Sequence, residues 1–333
     1  MKKLKKDMLA GFLDRLSKKY TVIAPVKSEK GYTEFKGTRD FSRVSLEDNC
    51  LNPVKEFFFP QNEELFRYMD EEVVESTGGE KMIIFGVRPC DIRSVEVLDR
   101  VFLDERFIDI YYKKRRDNAV IIGYTCPKSE PGCFCRSFGI DPGDSGFSDL
   151  SLFEEAENYY LKLNNEKAAF IMEDPVLSDA DAGLPSAGHG QDAGMEIEFP
   201  LDQKQLFHAD IWEKLYQKCI GCGTCTYLCP TCHCFEFCNR KSSEGIQRIR
   251  CWDSCQYALF TEHASGHNPR STQKERIRQR LMHKFSYYPQ NHGVAACVGC
   301  GRCLRKCPVA FDLREALKTM EEYIKESGMK TDG

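Results

Sequence analysis

The sequence predicts an α+β fold, with an N-terminal α/β domain built on a parallel βαβ unit and a C-terminal domain that is all-helical. In the first half, two short apolar runs flank a segment whose apolar residues recur at helical spacing. Beyond residue 200, helical segments and cysteine-rich loops alternate, and no strand pattern stands out. Between the halves, residues 178–194 lack periodicity and are typical of a loop, with His189 solvated. We therefore expect residues 1–200 and 201–333 to form two domains.

Local patterns outside the βαβ unit give four further elements. In residues 2–19 the apolar side chains lie on one side and lysines on the other, which predicts an amphipathic helix. Residues 20–26 predict a strand. Residues 61–69 predict a helix, and residues 203–218 predict another that leads into the cysteine-rich region.

The βαβ unit occupies residues 81–124. Residues 81–87 form a short apolar run of the kind found in buried strands, and residues 119–124 form a second. Between them, Asp91 is placed to cap a helix whose apolar positions recur from Ile92 to Phe102. Strand, helix and strand at this spacing predict a parallel pair of strands.

Composition narrows the function classes. The chain has 333 residues, enough for two domains, and a formal net charge of −4, which argues against a nucleic-acid binder. The N-terminal lysines precede an apolar stretch that ends at Asp14, without the cleavage site of a signal peptide. No uncharged run approaches the length of a membrane span. We therefore expect a cytoplasmic protein that binds neither nucleic acid nor membrane.

The number of cysteines points to metal chemistry. The chain has 18 cysteines, and 13 of them lie between Cys219 and Cys307. Many are two or three residues apart, a spacing at which disulfides between neighbours would be strained. In a large chain without an export signal, clustered cysteines are metal ligands or redox groups more often than disulfides.

One cysteine motif, C-x2-C-x2-C-x3-C-P, occurs twice. Its cysteines are Cys219, Cys222, Cys225 and Cys229 in the first copy and Cys297, Cys300, Cys303 and Cys307 in the second. Three closely spaced thiolates wrap a [4Fe–4S] cubane, and the glycines between them let the backbone approach the sulfides. Zinc sites instead use separated C-x2-C pairs, so the motif favours iron–sulfur clusters.

The C-terminal domain is therefore predicted to be ferredoxin-like and to hold two [4Fe–4S] clusters. The fourth cysteine of each motif lies too far along the chain to close on its own cubane, and in two-cluster ferredoxins it reaches the other one. Cluster 1 is then assigned to Cys219, Cys222, Cys225 and Cys307. Cluster 2 is assigned to Cys297, Cys300, Cys303 and Cys229.

Four cysteines of the N-terminal domain suggest a third metal centre. Cys90 and Cys126 each follow a strand of the βαβ unit, and parallel strands end at the same edge of a sheet. Cys133 and Cys135 follow after a short loop that can fold back to this edge. We favour a third [4Fe–4S] cluster over buried apolar thiols, and a zinc site stays open. Cys50 is interpreted as structural.

Two groups of residues near the motifs have less defined roles. Five cysteines of the C-terminal region lie outside the motifs, namely Cys232, Cys234, Cys238, Cys251 and Cys255. We favour packing around the clusters for these thiols, and for His233, over a further metal site or a reactive pair such as Cys251 and Cys255. A basic stretch comprises Arg270, Lys274, Arg276, Arg278, Arg280 and Lys284. A solvated helix face is favoured for this stretch over compensation of cluster charge.

Five segments together resemble the family that contains the 4Fe–4S electron-transfer component of anaerobic sulfite reductase and the sulfhydrogenase beta subunit. They are Lys55–Gln61 (KEFFFPQ), Phe85–Asp91 (FGVRPCD), Cys219–Cys234, Arg250–Cys255 (RCWDSC) and Arg276–Arg280 (RIRQR). The resemblance spans nearly the whole chain. It implies electron transfer within a cytoplasmic anaerobic complex, beside a ferredoxin-reductase-like subunit that binds FAD and NAD(P)H. The terminal enzyme, a reductase or a hydrogenase, differs between members.

The residues themselves agree with a carrier rather than an enzyme. No G-x-G-x-x-G follows a strand, so a flavin or nicotinamide is expected on a partner subunit. No catalytic triad or pair of carboxylates stands out either, so no catalytic residue is assigned. The alternatives are a stand-alone iron–sulfur reductase and a redox-sensing module that use the additional cysteines.

Overall fold

The computed structural model describes residues 1–69, 71–76, 79–180, 194, 197, 206–243 and 245–327. The chain divides into two compact units. The first comprises Met1–Phe59 and Thr77–Ala193, and the second comprises Pro60–Ser76 and Gly194–Gly333. Segment 60–76 therefore belongs to the second unit although it is embedded in the sequence of the first.

The strands form two sheets. They are β1 (Lys2–Lys5), β2 (Thr21–Lys27), β3 (Thr33–Gly37), β4 (Asn62–Met69), β5 (Glu72–Glu75), β6 (Met82–Val87), β7 (Ala119–Tyr124), β8 (Leu150–Glu155), β9 (Asn158–Leu163), β10 (Ser178–Asp179), β11 (Phe235–Ser242) and β12 (Gly245–Trp252). In the first unit the order is β10-β1-β9-β8-β7-β6-β2-β3. In the second unit the order is β11-β12-β4-β5.

The helices are mostly short. They are α1 (Leu9–Ser17), α2 (Pro89–Phe102), α3 (Ile110–Asp117), α4 (Trp212–Leu215), α5 (Thr224–Tyr227), α6 (Gln273–Met282), α7 (Tyr288–His292), α8 (Arg302–Arg305) and α9 (Leu313–Glu326). A π-helical turn, His283–Tyr287, joins α6 to α7. Within the described residues, no helix is both long and apolar enough to span a membrane.

The predicted βαβ unit is confirmed in the first unit. Strands β6 and β7 are parallel neighbours, and every residue of both is buried, which explains their continuous apolar runs. Helices α2 and α3 connect them, and α2 begins at Pro89 rather than after Asp91. Proline is favoured in the first turn of a helix because its missing N–H has no partner there in any case. The parallel order continues through β2 on one side and β8 on the other.

The N-terminal helix is shorter than the periodicity predicts. Lys2–Lys5 form β1, which pairs antiparallel with β9, and α1 begins only at Leu9. Leu4 is buried between exposed lysines, so four residues satisfy a strand pattern as well as a helical one. The strand predicted for residues 20–26 is confirmed as β2. Most of the predicted 178–194 loop, including His189, lies outside the described residues.

The prediction of an all-helical C-terminal domain is wrong, and so is the helix predicted for residues 61–69. Residues 62–69 form β4, which pairs with β12 of the hairpin β11–β12. Buried positions of β4 and β12 carry polar side chains, namely Glu63, Gln247 and Arg250. Polar residues at buried positions conceal the alternation that identifies a strand. The helix predicted for residues 203–218 is represented in the described part by the short α4.

Candidate metal centres

Both cysteine motifs form tight loops. The backbone φ is +69° at Gly221 and +73° at Gly223, and +59° at Gly299 and +73° at Gly301. Residues with a Cβ adopt this left-handed region rarely. A Cβ on Gly221 would also lie 2.6 Å from the Gln273 side-chain oxygen. The glycines therefore allow the close turns that the motif spacing predicts.

The four cysteines assigned to cluster 1 line one cavity. Cys219, Cys222 and Cys225 come from the first motif, and Cys307 comes from the second. Cys303, which is assigned to cluster 2, also lines this cavity. Burial raises the pKa of Cys219, and the nearby thiols of Cys222 and Cys307 raise it further. The fourth cysteine of the second motif is thus close to the first motif.

The cysteines assigned to cluster 2 are brought together in the same crossed way. Burial raises the pKa of Cys297 to about 12, and the nearby Cys229 and Cys300 contribute to this rise. Burial likewise raises the pKa of Cys303, and Cys300, Cys297 and Cys229 add to it. Cys229 belongs to the first motif, so the last cysteine of each motif lies near thiols of the other motif.

Two buried cations contact cysteine sulfurs of these sets. Arg280 Nε donates to Cys225 Sγ at 3.1 Å, and Lys284 Nζ donates to Cys229 Sγ at 3.3 Å. Lys284 also donates to Thr231 Oγ1 at 3.1 Å and to the carbonyl of Ala296 at 2.8 Å. Both cations are buried and lie one helical turn apart along α6 and the π-helical turn.

The cations and thiols affect each other's ionisation. Burial by itself would lower the pKa of Lys284, but the thiols of Cys229 and Cys232 outweigh it and raise that pKa. Burial opposes ionisation of Arg280 in the same way, and Cys225 and Cys303 raise its pKa well above the ordinary value. A hydrogen bond from Cys232 and the charge of Lys284 lower the pKa of Cys229.

The residues present fit a [4Fe–4S] cluster at each set. A buried cation is costly unless an anion lies beside it, and the cysteine sulfurs are the contacting groups here that can carry a negative charge. Thiolates that ligate iron supply that negative charge. The interpretation of the basic stretch as a solvated face is therefore wrong for Arg280 and Lys284. It is adequate for Lys274, whose ammonium forms a surface ion pair with Glu213 at 2.6 Å.

The additional cysteines form pairs next to the motifs. Cys232 is hydrogen-bonded to Cys229, and Cys234 is hydrogen-bonded to Cys255. Cys238 Sγ lies 3.3 Å from Cys251 Sγ on the exposed hairpin β11–β12. The alternative of a reactive pair formed by Cys251 and Cys255, which was not favoured, is contradicted because each of these thiols is paired with a different cysteine. None of the 18 cysteines, all of which lie within the described ranges, forms a disulfide.

His233 is placed as the packing interpretation predicts. Its Nδ1 is 3.0 Å from the carbonyl oxygen of Thr231, and its ring contacts His283 edge to face. Burial lowers the pKa of His283 to about 3, and the neighbouring His233 and Lys284 contribute. These imidazoles therefore form part of the polar packing around the second cysteine set.

In the first unit, Cys90 and Cys126 follow adjacent parallel strands. Cys90 lies in the first turn of α2 after β6, and Cys126 lies two residues beyond β7. The buried Arg88 ties these ends together, because its guanidinium donates to the carbonyl of Thr125 at 3.4 Å and to that of Leu46. The adjacency of the two strands, on which the third centre depends, is confirmed.

The loop with Cys133 and Cys135 is anchored near residues 46–50. Asn49 Nδ2 is 3.9 Å from Cys133 Sγ, and the Asn49 backbone N–H donates to the carboxylate of Glu130. Sequence reasoning gave no role to Asn49, and no motif marks it. Among the described residues, no group of three or more Cys, His, Asp or Glu side chains is arranged to hold a single metal ion. A cubane differs from such a site because each thiolate binds a different iron.

Comparison with known proteins agrees with the chemistry of these cysteines. A model of the 4Fe-4S dicluster domain family matches residues 218–311. Sulfhydrogenase 2 subunit beta of Pyrococcus furiosus is 32% identical over 336 residues, which cover 97% of this chain and 98% of that protein. No solved structure shows significant similarity to the chain. With this likeness over nearly its whole length, the chain belongs to the sulfhydrogenase beta subunit family and is an iron–sulfur electron-transfer protein.

Proposed function

We propose that the chain relays single electrons between a terminal reductase or hydrogenase and a ferredoxin-reductase-like subunit that binds FAD and NAD(P)H. The complex would be of the sulfhydrogenase or sulfite reductase type, in the cytoplasm. Two [4Fe–4S] clusters are proposed, one on Cys219, Cys222, Cys225 and Cys307 and one on Cys297, Cys300, Cys303 and Cys229. When bound, such a cluster accepts and releases one electron at a time.

The contact of Lys284 with Cys229 carries the proposal. Lys284 is 3% exposed, and its ammonium reaches a cysteine sulfur, a hydroxyl and a carbonyl. A neutral thiol would leave this buried charge without an anion, whereas a ligating thiolate provides one. Arg280 repeats the arrangement at Cys225 in the other set. The chain thus supplies one buried cation to each proposed cluster.

The proposal of a flavin-bearing partner rests on the motifs of the chain, which include cysteine motifs but no dinucleotide fingerprint. Neither the sequence nor the matched dicluster domain offers a dinucleotide fingerprint, which a nicotinamide or flavin site normally requires. The relative from Pyrococcus furiosus is itself named as a subunit. We infer that this chain works with other subunits that bind the flavin and the final electron acceptor.

Partner dependence tests this function. The anaerobically reconstituted protein is mixed with NADH or NADPH, and its iron–sulfur absorbance is followed. We expect no bleaching with nucleotide alone and rapid bleaching once a ferredoxin-reductase-like flavoprotein is added. Dithionite bleaches the same sample and serves as the control for reducible iron. Bleaching by nucleotide in the absence of any flavin would contradict the proposal.

A third [4Fe–4S] cluster on Cys90, Cys126, Cys133 and Cys135 is also proposed. Its support is the adjacency of β6 and β7, together with the contact of Asn49 with the Cys133 loop. Arg88 adds a buried cation between the ends of the two strands. A positive charge at this edge would favour ionised thiols there, whereas Arg280 and Lys284 contact cysteine sulfurs directly.

A further inference from the structure

An open cavity lies beside the first cysteine loop. Its volume is about 740 Å³, and Ile220 and Gly221 of that loop form part of its wall. Another wall residue, Tyr257, lies against Gly223, where an added Cβ would be 2.7 Å from its ring. Of the eight motif cysteines, all of which the structure describes, only Cys222 is exposed. The cavity therefore adjoins the loop that carries Cys222, the exposed cysteine of the proposed cluster 1.

The rim of this cavity exposes apolar side chains. Leu259 is 76% exposed, Ile220 is 64% exposed and Tyr257 is 37% exposed. Three exposed apolar groups around one depression are typical of a surface that another protein covers. None of the three contributes to the cysteine sets, so the cluster ligation does not explain their exposure.

The lining of the cavity is acidic. Three carboxylates line it, those of Glu236, Asp253 and Glu262. Arg276 is the cation among the lining residues, and its guanidinium is held by Gln273 Oε1 and by the carbonyls of Arg270 and Ser271. These bonds turn the positive charge toward the start of α6. An occupant therefore meets apolar contact area surrounded by negative charge.

We propose that this cavity is the docking site for a protein electron-transfer partner that presents an apolar side chain flanked by lysines or arginines. The proposal rests on the proposed function and adds the place where electrons cross and the character of the partner. Opposite charges steer such a partner to the cavity, and the apolar rim holds it there. The carboxylates would repel a nucleoside diphosphate or a second copy of the same acidic surface.

Stopped-flow oxidation of the reconstituted, reduced protein tests this docking site. One acceptor is cytochrome c, a basic protein with lysines around its haem edge, which takes one electron as its iron goes from ferric to ferrous. The other is ferricyanide, a small anion that takes one electron from the same sample. The rate with cytochrome c is divided by the rate with ferricyanide for each sample. This ratio does not depend on how much cluster each variant contains. The variants are E236Q/E262Q and L259S, and Glu322→Gln on the exposed face of α9 is the matched control.

At low salt we expect E236Q/E262Q to lower the ratio by about threefold to tenfold, because the carboxylates attract the cationic cytochrome c and repel the anionic ferricyanide. High salt should remove this difference, since exposed charges are then screened. L259S should raise the cytochrome c concentration that gives half-maximal rate. A ratio equal to that of Glu322→Gln for both variants would overturn the proposal. Failure of the proposed function would appear separately, as wild-type protein without reducible iron.

Discussion

Substitutions of Lys284 and Arg280 test the two proposed ligand sets separately, through the reduction potential of each cluster. Removing a buried positive charge beside a ligating thiolate makes the reduced, more negative state less favourable. We expect Lys284→Met to lower the reduction potential of the cluster held by Cys229, by on the order of 100 mV. Arg280→Gln should lower the other potential, because Arg280 contacts Cys225. Redox titration followed by electron paramagnetic resonance measures both.

Charge-conserving variants separate this electrostatic effect from loss of packing. Lys284→Arg and Arg280→Lys keep the positive charge at each position, so most of the shift should disappear. Arg280 also lies near Cys303, so each variant can shift both transitions, and the larger shift identifies the nearer cluster. If Lys284→Met and Arg280→Gln give their larger shift in the same transition, the assignment of Cys225 and Cys229 to different clusters is contradicted.

Sequence patterns predicted the cysteines and glycines of the proposed cluster sites but not the two buried cations beside them. The motif spacing alone names the eight cysteines, and the glycines with positive φ follow from the same spacing. Arg280 and Lys284 were hidden because they sit in a run of basic residues that resembles a solvated helix face. Only burial distinguishes them from Lys274, whose charge is paired at the surface.

At the scale of elements, β4 depends on a buried ion pair. Arg250 of β12 donates two hydrogen bonds to Glu63 of β4, and their side chains are 3% and 1% exposed. Breaking one partner leaves an uncompensated charge, so Glu63→Gln should lower the free energy of unfolding by about 3–5 kcal/mol. Glu213→Gln, which breaks the exposed pair with Lys274, is the matched control and should leave the thermal midpoint unchanged.

Thermal denaturation of the double variant E63Q/R250M, compared with that of Glu63→Gln, extends this test. Replacing both charged groups removes the unpaired charge, so the double variant should regain part of the stability lost by Glu63→Gln. Equal stability of Glu63→Gln and Glu213→Gln would show that β4 is not held by this pair. Strands β4 and β12 were not predicted because several of their buried residues, among them Glu63, Gln247 and Arg250, are charged or amide-bearing. Strand β11 has no buried residue, so it shows no apolar alternation either.

The sheet edge at β6 and β7 provides the test of the third cluster. If Cys90, Cys126, Cys133 and Cys135 bind a cubane, Cys126→Ser should lower the iron content by about four per chain and spare the motif clusters. The variant should also destabilise the protein, because metal binding to a folded site contributes to folding free energy. Cys50→Ser, a buried thiol outside the proposed set, is the control. Unchanged iron in Cys126→Ser would remove the third cluster from the account.

At the scale of the whole molecule, the fold of the first unit could be predicted from the sequence better than that of the second unit. The βαβ unit was predictable because fully buried parallel strands show as continuous apolar runs. The assignment of residues 60–76 to the second unit was not predictable, because it depends on strand pairing across nearly two hundred positions of sequence. Local patterns carry no information about pairing at that distance.

Iron and acid-labile sulfide per chain, measured after anaerobic reconstitution, test whether the eight motif cysteines hold two [4Fe–4S] clusters. We expect at least about eight iron and eight sulfide per chain. Cys222→Ser and Cys300→Ser should each lose about four, because each removes a ligand of a different cubane. Cys238→Ser, a thiol on the exposed hairpin, should keep the wild-type content. About one zinc per chain with no visible absorbance, or iron that is insensitive to Cys222 and Cys300, would contradict the account.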